Sequence, residues 1–463
     1  MLRNLLGAAL LLAAAGGCTE LRGLIEHGTI GTNPAIPPAP APPPDPRGSP
    51  ATPVSWRPPP IFGDWWYMHP ESMRATRKPT AGDPCAVVEP VHYRSPEMYI
   101  PVSTPGAAHG GPSYASPDGW YSWYARCYAH ALDEAGAPLA VLIRERNCPF
   151  PYADRGLQTA PGEVAGMLDV LPKLDYLIMD LEPIHGGTTE DVIRNVEEIV
   201  RLVRSHPNPR INRAFLGNYN DFPGVHDGAV IWPDRRDRTA MGPSKRWDRD
   251  AFYRAKLNLA MPSLYPYQIY SRHAHAPIQK GPTSPNERAA SFWAPLERLS
   301  VAARNLPEGH LLVPWVSNYG AFDGESEVYT APPPTREDLE AFIQHIRLRG
   351  AYSYMIWTSN PDQTDHPTID RKAYGELALS AWKSLNPLFA GGGRPRILNL
   401  DTDKVSGVQW SGMIVGDQAW VLVSNLGRES GARVRLPTIP GLPAETPEVP
   451  RNTHRLFRWR LPG

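Results

Sequence analysis

The sequence predicts an α/β protein: a (β/α)8 TIM-type barrel over residues 61–388, followed by a small, sandwich-like C-terminal antiparallel β domain over 389–463. Three observations lead there. From Ile61 onward, short apolar or aromatic runs alternate with amphipathic stretches, the pattern of parallel strands joined by helices. One run, Tyr176 to Leu181, carries an acid toward its carboxyl end and is followed directly by another, at the end where such barrels keep their reactive groups. After Asn386 the alternation stops, and Gly391-Gly392-Gly393 leads into short strand-like runs separated by turns.

At the N-terminus, one early charge, Arg3, precedes an apolar run from Leu5 to Ala15 and a small-residue stretch ending Gly16-Gly17-Cys18. This is a secretion signal over residues 1–18, and the run is too short to span a bilayer, which needs about 20 apolar residues. Small residues directly before a cysteine resemble the lipobox of bacterial lipoproteins, which implies that Cys18 carries the lipid. Thr19 rather than Asp after that cysteine resembles outer-membrane retention. Residues 19–60 are dominated by proline, as in Pro37-Pro38-Ala39-Pro40, with little to bury, and read as an extended tether.

The strand candidates of the barrel are Phe62 to Met68, Ala86 to Tyr93, Leu139 to Ile143, Tyr176 to Leu181, Ala214 to Tyr219, Leu257 to Tyr265, Leu311 to Val316 and Tyr352 to Thr358. Eight such segments over roughly 330 residues suit the barrel with some long loops. Between them, Thr188 with Asp191 opens a helix whose Val192, Val196, Ile199, Val200 and Val203 share one face. Thr335 with Asp338 opens another, carrying Leu339, Phe342, Ile343 and Ile346. In the last domain, strands are expected at Val405 to Trp410, Met413 to Val415, Ala419 to Ser424 and Ala432 to Leu436, with a turn at Gly416-Asp417.

The chain is 41% hydrophobic, with 47 basic and 47 acidic residues. A sizeable core is therefore available, and nothing in the charge balance favours nucleic acid; a neutral polymer or small molecule suits it better. Beyond Cys18, the odd set Cys85, Cys127 and Cys148 allows at most one disulfide, and none has metal-ligand spacing. No metal or cofactor is expected, and the protein is expected to be a monomer.

The informative segment is Asp175-Tyr176-Leu177-Ile178-Met179-Asp180-Leu181-Glu182-Pro183. With a period of two, Ile178, Asp180 and Glu182 share one face, while Leu177, Met179 and Leu181 face the surrounding helices. Two neighbouring carboxylates repel, so one tends to stay protonated near neutral pH, as a general acid must. A bland reading has both acids solvated at the start of a loop, but it leaves the inward Asp180 without a reason.

This spacing resembles the Asp-x-x-Asp-x-Asp-x-Glu strand of chitinase-like family 18 glycoside hydrolases, with Ile178 in place of the second Asp, and the shorter Asp-x-Glu strand of hyaluronidases. Pro262-Ser263-Leu264-Tyr265 is similar to the Pro-Ser-aliphatic-Tyr strand of hyaluronidases. Gly350-Ala351 with Ile356-Trp357 resembles the last strand of both families, and Gly217-Asn218-Tyr219 stands where hyaluronidases carry an aromatic strand end. The resemblance implies substrate-assisted hydrolysis of a 2-acetamido glycan. Glu182 would protonate the leaving oxygen, Asp180 would orient the acetamido group, and Tyr265 would stabilise the charge on its carbonyl oxygen. It also implies Trp357 as the floor of the sugar site.

Tyr219, Asn218, Trp315, Trp65 and Asp362 are further candidates for contact with a polysaccharide or oligosaccharide substrate. Many aromatic residues simply fill cores, so only a fraction would line a cleft. Within enzymes, the alternative is a conventional carboxylate pair, with Asp221, Asp323, Glu325 or Asp362 as partner to Glu182. Outside enzymes, the alternative is a non-catalytic glycan-binding envelope lipoprotein, which the apolar Ile178 makes thinkable.

Overall fold

The structure is a computed structural model, and it describes residues 61–63, 98–99, 102–103, 133, 139–144, 163–181, 189–223, 252, 254–264, 285–317, 322–323, 328–329, 335–357, 371–403, 405–427 and 430–462. The expected signal, tether and lipidated Cys18 lie outside these residues, as do the expected strand Ala86 to Tyr93 and the residues Trp65, Glu182, Tyr265, Glu325 and Asp362.

The first part of the chain forms short strands: β1 (Ile61–Gly63), β2 (Met98–Tyr99), β3 (Val102–Ser103), β4 (Ala140–Arg144), β5 (Tyr176–Asp180), β6 (Phe215–Asn218), β7 (Leu259–Ala260), β8 (Ser263–Leu264), β9 (Leu311–Leu312), β10 (Trp315–Ser317), β11 (Phe322–Asp323), β12 (Val328–Tyr329) and β13 (Met355–Trp357). The helices among the described residues include α1 (Glu163–Val170), α2 (Thr189–Ser205), α3 (Pro209–Asn212), α4 (Pro285–Asn305), α5 (Arg336–Leu348) and α6 (Arg371–Lys383).

Apart from the β11–β12 hairpin, every pairing among these strands is parallel. β1 lies between β2 and β13, β13 pairs with β10, β10 with β8, and β9 with β7. On the other arm, β3 pairs with β4, β4 with β5, and β5 with β6. β6 meets β7 without a regular ladder. Leu216 N–H donates to Asn258 Oδ1 (2.7 Å) and Asn258 N–H to Leu216 O (3.1 Å), while Asn220 N–H donates to Met261 O (2.9 Å) and Met261 N–H to Asp221 O (2.9 Å). These contacts join the arm that ends at β6 to the β7–β8 segment. The partners of β1 and β4 are β2 and β3, at residues where the sequence reading has no strand.

Two expected strands are each split in two, and proline is the reason. Pro262 separates β7 from β8, and Pro314 separates β9 from β10; neither has an N–H for the ladder. Their carbonyls still serve it, Pro262 O accepting from Trp315 N–H (2.9 Å) and Pro314 O from Met355 N–H (2.8 Å).

The alternation along the strands separates two apolar layers. Leu177, Met179, Leu181 and Leu216 pack with Val192, Val196, Ile199, Val200 and Val203 of α2 in the layer between strands and helices. Ala140, Tyr176, Ile178, Tyr219, Leu259, Met261, Leu311, Val313, Trp315, Tyr352 and Met355 form a second cluster on the opposite face. Each fully buried Val, Leu, Ile or Met among them contributes about 1.5–3 kcal/mol. Gly217 leaves no room for a side chain beside this cluster: a Cβ there would stand 2.6 Å from Leu259 O and 2.8 Å from Met261 Sδ.

Thr335 caps α5 as its spacing with Asp338 predicts, its Oγ1 accepting from Asp338 N–H at 3.1 Å. The C-terminal part forms an antiparallel sheet in the order β14 (Arg396–Ile397), β15 (Val408–Val415), β16 (Gln418–Asn425), β19 (Thr453–Arg460), with a separate pair, β17 (Gly431–Ala432) and β18 (Val449–Pro450). The sequence reading broke β15 at Ser411-Gly412, but the strand runs through, paired along its length with β16.

Candidate functional site

Asp180 is the last residue of β5 and follows Tyr176 and Ile178 on the face of the inner cluster. It is half-buried, and its register partner on β4 is Arg144. One level down, Ile178 is aligned with Leu142 and Gly217, and below that Tyr176 is aligned with Ala140 and Phe215, the last of which stacks on it at 5.8 Å. At the second expected acid position of this strand, Ile178 is fully buried among apolar neighbours.

Tyr219 is the next inward position after Gly217 and therefore stands level with Asp180. Its ring meets Trp315 edge to face, centroids 5.2 Å apart. Trp315 has no exposed surface, and its indole N–H has no partner among the described residues. Trp357 ends β13, two residues beyond Met355 of the inner cluster, and its register partner is Ser317. Burial raises the phenol pKa of Tyr352, against a hydrogen bond with Tyr176 that lowers it.

Asn218 lies on the other face of β6 and is fully buried. Its Oδ1 accepts from Leu181 N–H at 3.1 Å, and its Nδ2 donates to Leu181 O at 3.2 Å and to Asp221 Oδ2 at 3.0 Å. The amide that the sequence reading offered to substrate is thus taken up by the protein. Asp221, one of the alternative second carboxylates, is likewise fully buried in this group.

Sequence reasoning missed Asn220 and Arg298. Asn220 adopts a left-handed backbone (φ 65°), and its Oδ1 accepts from the Arg298 guanidinium of α4 and from Ser263. Arg298 is buried and also covers the Phe222 ring at 5.2 Å. The signal available beforehand was Asn220-Asp221 directly after a strand, which marks a turn. Nothing local points to Arg298. Among the described residues, no group of His, Cys, Asp and Glu could hold a metal ion.

No family model matches the chain, and no curated protein matches it in sequence. Solved structures similar to it include a conserved exported protein from Bacteroides fragilis, with 13% identity and a TM-score of 0.40, the match covering 78% of this chain and 87% of that one. Another is an Anoxybacillus alpha-amylase, with 9% identity and a TM-score of 0.42, covering 89% and 99%. A third is a glycoside hydrolase family 30 subfamily 8 xylanase from Clostridium acetobutylicum, with 11% identity and a TM-score of 0.40, covering 88% and 97%.

Proposed function

We propose that the chain is a glycoside hydrolase whose parallel strands close into a (β/α)8 barrel, with Glu182 as general acid and Asp180 assisting. We propose further that its substrate is a glycan of 2-acetamido sugars. The observation that carries this reading is the position of Asp180: it is a half-buried carboxylate at the carboxyl end of a parallel strand, on the inward face, level with the Tyr219–Trp315 pair. Glu182 is two residues further along the chain, so an extended backbone would put it on the same face.

In this mechanism, the acetamido carbonyl of the sugar attacks its own anomeric carbon while Glu182 gives a proton to the leaving oxygen. Asp180 holds the acetamido N–H, and Tyr265 donates to the carbonyl oxygen. Trp357 supplies the apolar floor for the sugar ring. The test is hydrolysis of hyaluronan and N-acetylchitooligosaccharides by the wild type and by Glu182→Gln. The variant keeps the shape but cannot give a proton, so turnover should fall by about 100- to 10,000-fold while binding survives. A full-rate variant would remove the assignment. Binding without turnover in the wild type would favour a glycan-binding protein, the reading that the buried apolar Ile178 supports.

Export and lipid anchoring at Cys18 complete the proposal. A palmitate analogue should label the wild type and not Cys18→Ser, and equal labelling of both would rule the anchor out.

A further inference from the structure

We propose that Asn218 is a positioning residue, whose side-chain amide carries the pairing of β5 with β6 two residues past its last ladder position and so sets the backbone from which Glu182 departs. This rests on the role given to Glu182 above. The regular ladder to β6 ends with Met179 aligned with Asn218, and its next rung is Tyr219 N–H donating to Met179 O at 2.7 Å. Beyond it the chain turns at Asn220, whose left-handed backbone takes the strand direction away. Leu181 N–H and C=O are buried and would lack strand partners there. The Asn218 amide supplies both, accepting from the N–H at 3.1 Å and donating to the C=O at 3.2 Å, as a neighbouring peptide group would. Glu182 follows Leu181 directly in the chain.

The clamp is itself held from behind. Asp221 Oδ2 accepts from Asn218 Nδ2, which fixes which way the amide faces. The Asp221 carbonyl accepts from Met261 N–H, and Asn220 N–H donates to Met261 O, tying the turn to the β7–β8 segment. The Asn220 side chain accepts from Arg298, which ties the same turn to α4. A displacement of about 1 Å at a reacting group can cost on the order of 100-fold in rate, so a device that fixes one backbone residue matters to an acid placed directly after it.

Amide-resolved hydrogen exchange tests the clamp in the wild-type protein. Leu181 N–H should exchange as slowly as the ladder amides of residues 177–179; exchange about 100-fold faster would overturn the proposal. In Asn218→Ala, Leu181 N–H should exchange at least about 10-fold faster while residues 177–179 keep their protection. With hyaluronan or N-acetylchitooligosaccharides, whichever the wild type hydrolyses, kcat should fall about 10- to 100-fold with KM nearly unchanged, and the pH limb belonging to the acid should move. If Glu182→Gln abolishes hydrolysis but Asn218→Ala leaves kcat and the pH profile as they were, the clamp has no positioning role. If Glu182→Gln keeps the full rate, the reading of the acid fails and takes this role with it, even where Leu181 is protected.

Discussion

Two buried polar systems in this protein solve different problems, and they are built from different side chains. At the end of β5, Asn218 completes the hydrogen bonding of one backbone residue, and its amide does not titrate. Between α5 and the C-terminal sheet, the groups are side chains bonded to side chains, and two of them are imidazoles. Arg349 Nε donates to Ser411 Oγ (2.8 Å), Ser411 lies against His345 Nδ1 (2.8 Å), and His345 Nε2 lies against Ser424 Oγ (2.7 Å). Ser424 in turn meets His454 Nδ1 (2.7 Å), and His454 Nε2 meets Asp338 Oδ1 (2.9 Å).

One end of that chain donates and the other accepts. Burial lowers the Arg349 pKa to about 9, which leaves it a charged donor at neutral pH. Asp338 is a carboxylate and accepts: burial pulls its pKa up, but hydrogen bonds from His454 and Arg288 outweigh this and hold it below the usual value. Ser411 accepts from Arg349 and donates to His345 Nδ1, so a neutral His345 has its Nε2–H left to donate to Ser424 Oγ. The contrast is that the amide at the centre of the clamp does not titrate, whereas the bonds at the centre of the second system run through His345, which does.

The largest expected effect breaks the imidazole chain at its centre. His345 is fully buried, packs edge to face on Phe292 at 6.1 Å and bonds both serines, so His345→Ala should cost about 3–5 kcal/mol of unfolding free energy. Urea denaturation measures this. Protection of Leu181 against hydrogen exchange should persist in the folded variant, because the clamp is bonded through Asn218, Leu181 and Asp221 and the second system through other residues; loss of it would merge the two systems into one.

A smaller effect sharpens the contrast through pH. Burial first, then the charges of Arg349 and His454, holds His345 well below the ordinary imidazole value of about 6.5. The folded state therefore stays unprotonated there while the unfolded chain takes a proton. Stability from this group is complete above about pH 6.5 and declines as pH falls below it, by up to about 1.4 kcal/mol per pH unit. Urea midpoints between pH 7.5 and 5 should follow this slope, and His345→Gln should lose most of it. An unchanged slope in that variant would assign the pH dependence to other groups.

Much of the fold was legible because the relevant physics is local. The period of two along Tyr176 to Leu181 put Asp180 on the inward face, the helix face of Val192 to Val203 followed from its spacing, and Thr335 with Asp338 announced a cap. The same period places Asn218 on the outer face, opposite Gly217 and Tyr219, so its separation from the inward face could have been read beforehand. What only the tertiary structure decided are the meetings between distant segments. Gly217 is needed because Leu259 comes within van der Waals range, and the bare peptide ends of Leu181 come to face Asn218, 37 residues away. His454 reaches Asp338 across 116 residues. No periodicity or spacing encodes such pairs, because each depends on where whole strands and helices pack, and packing sums contacts along the entire chain.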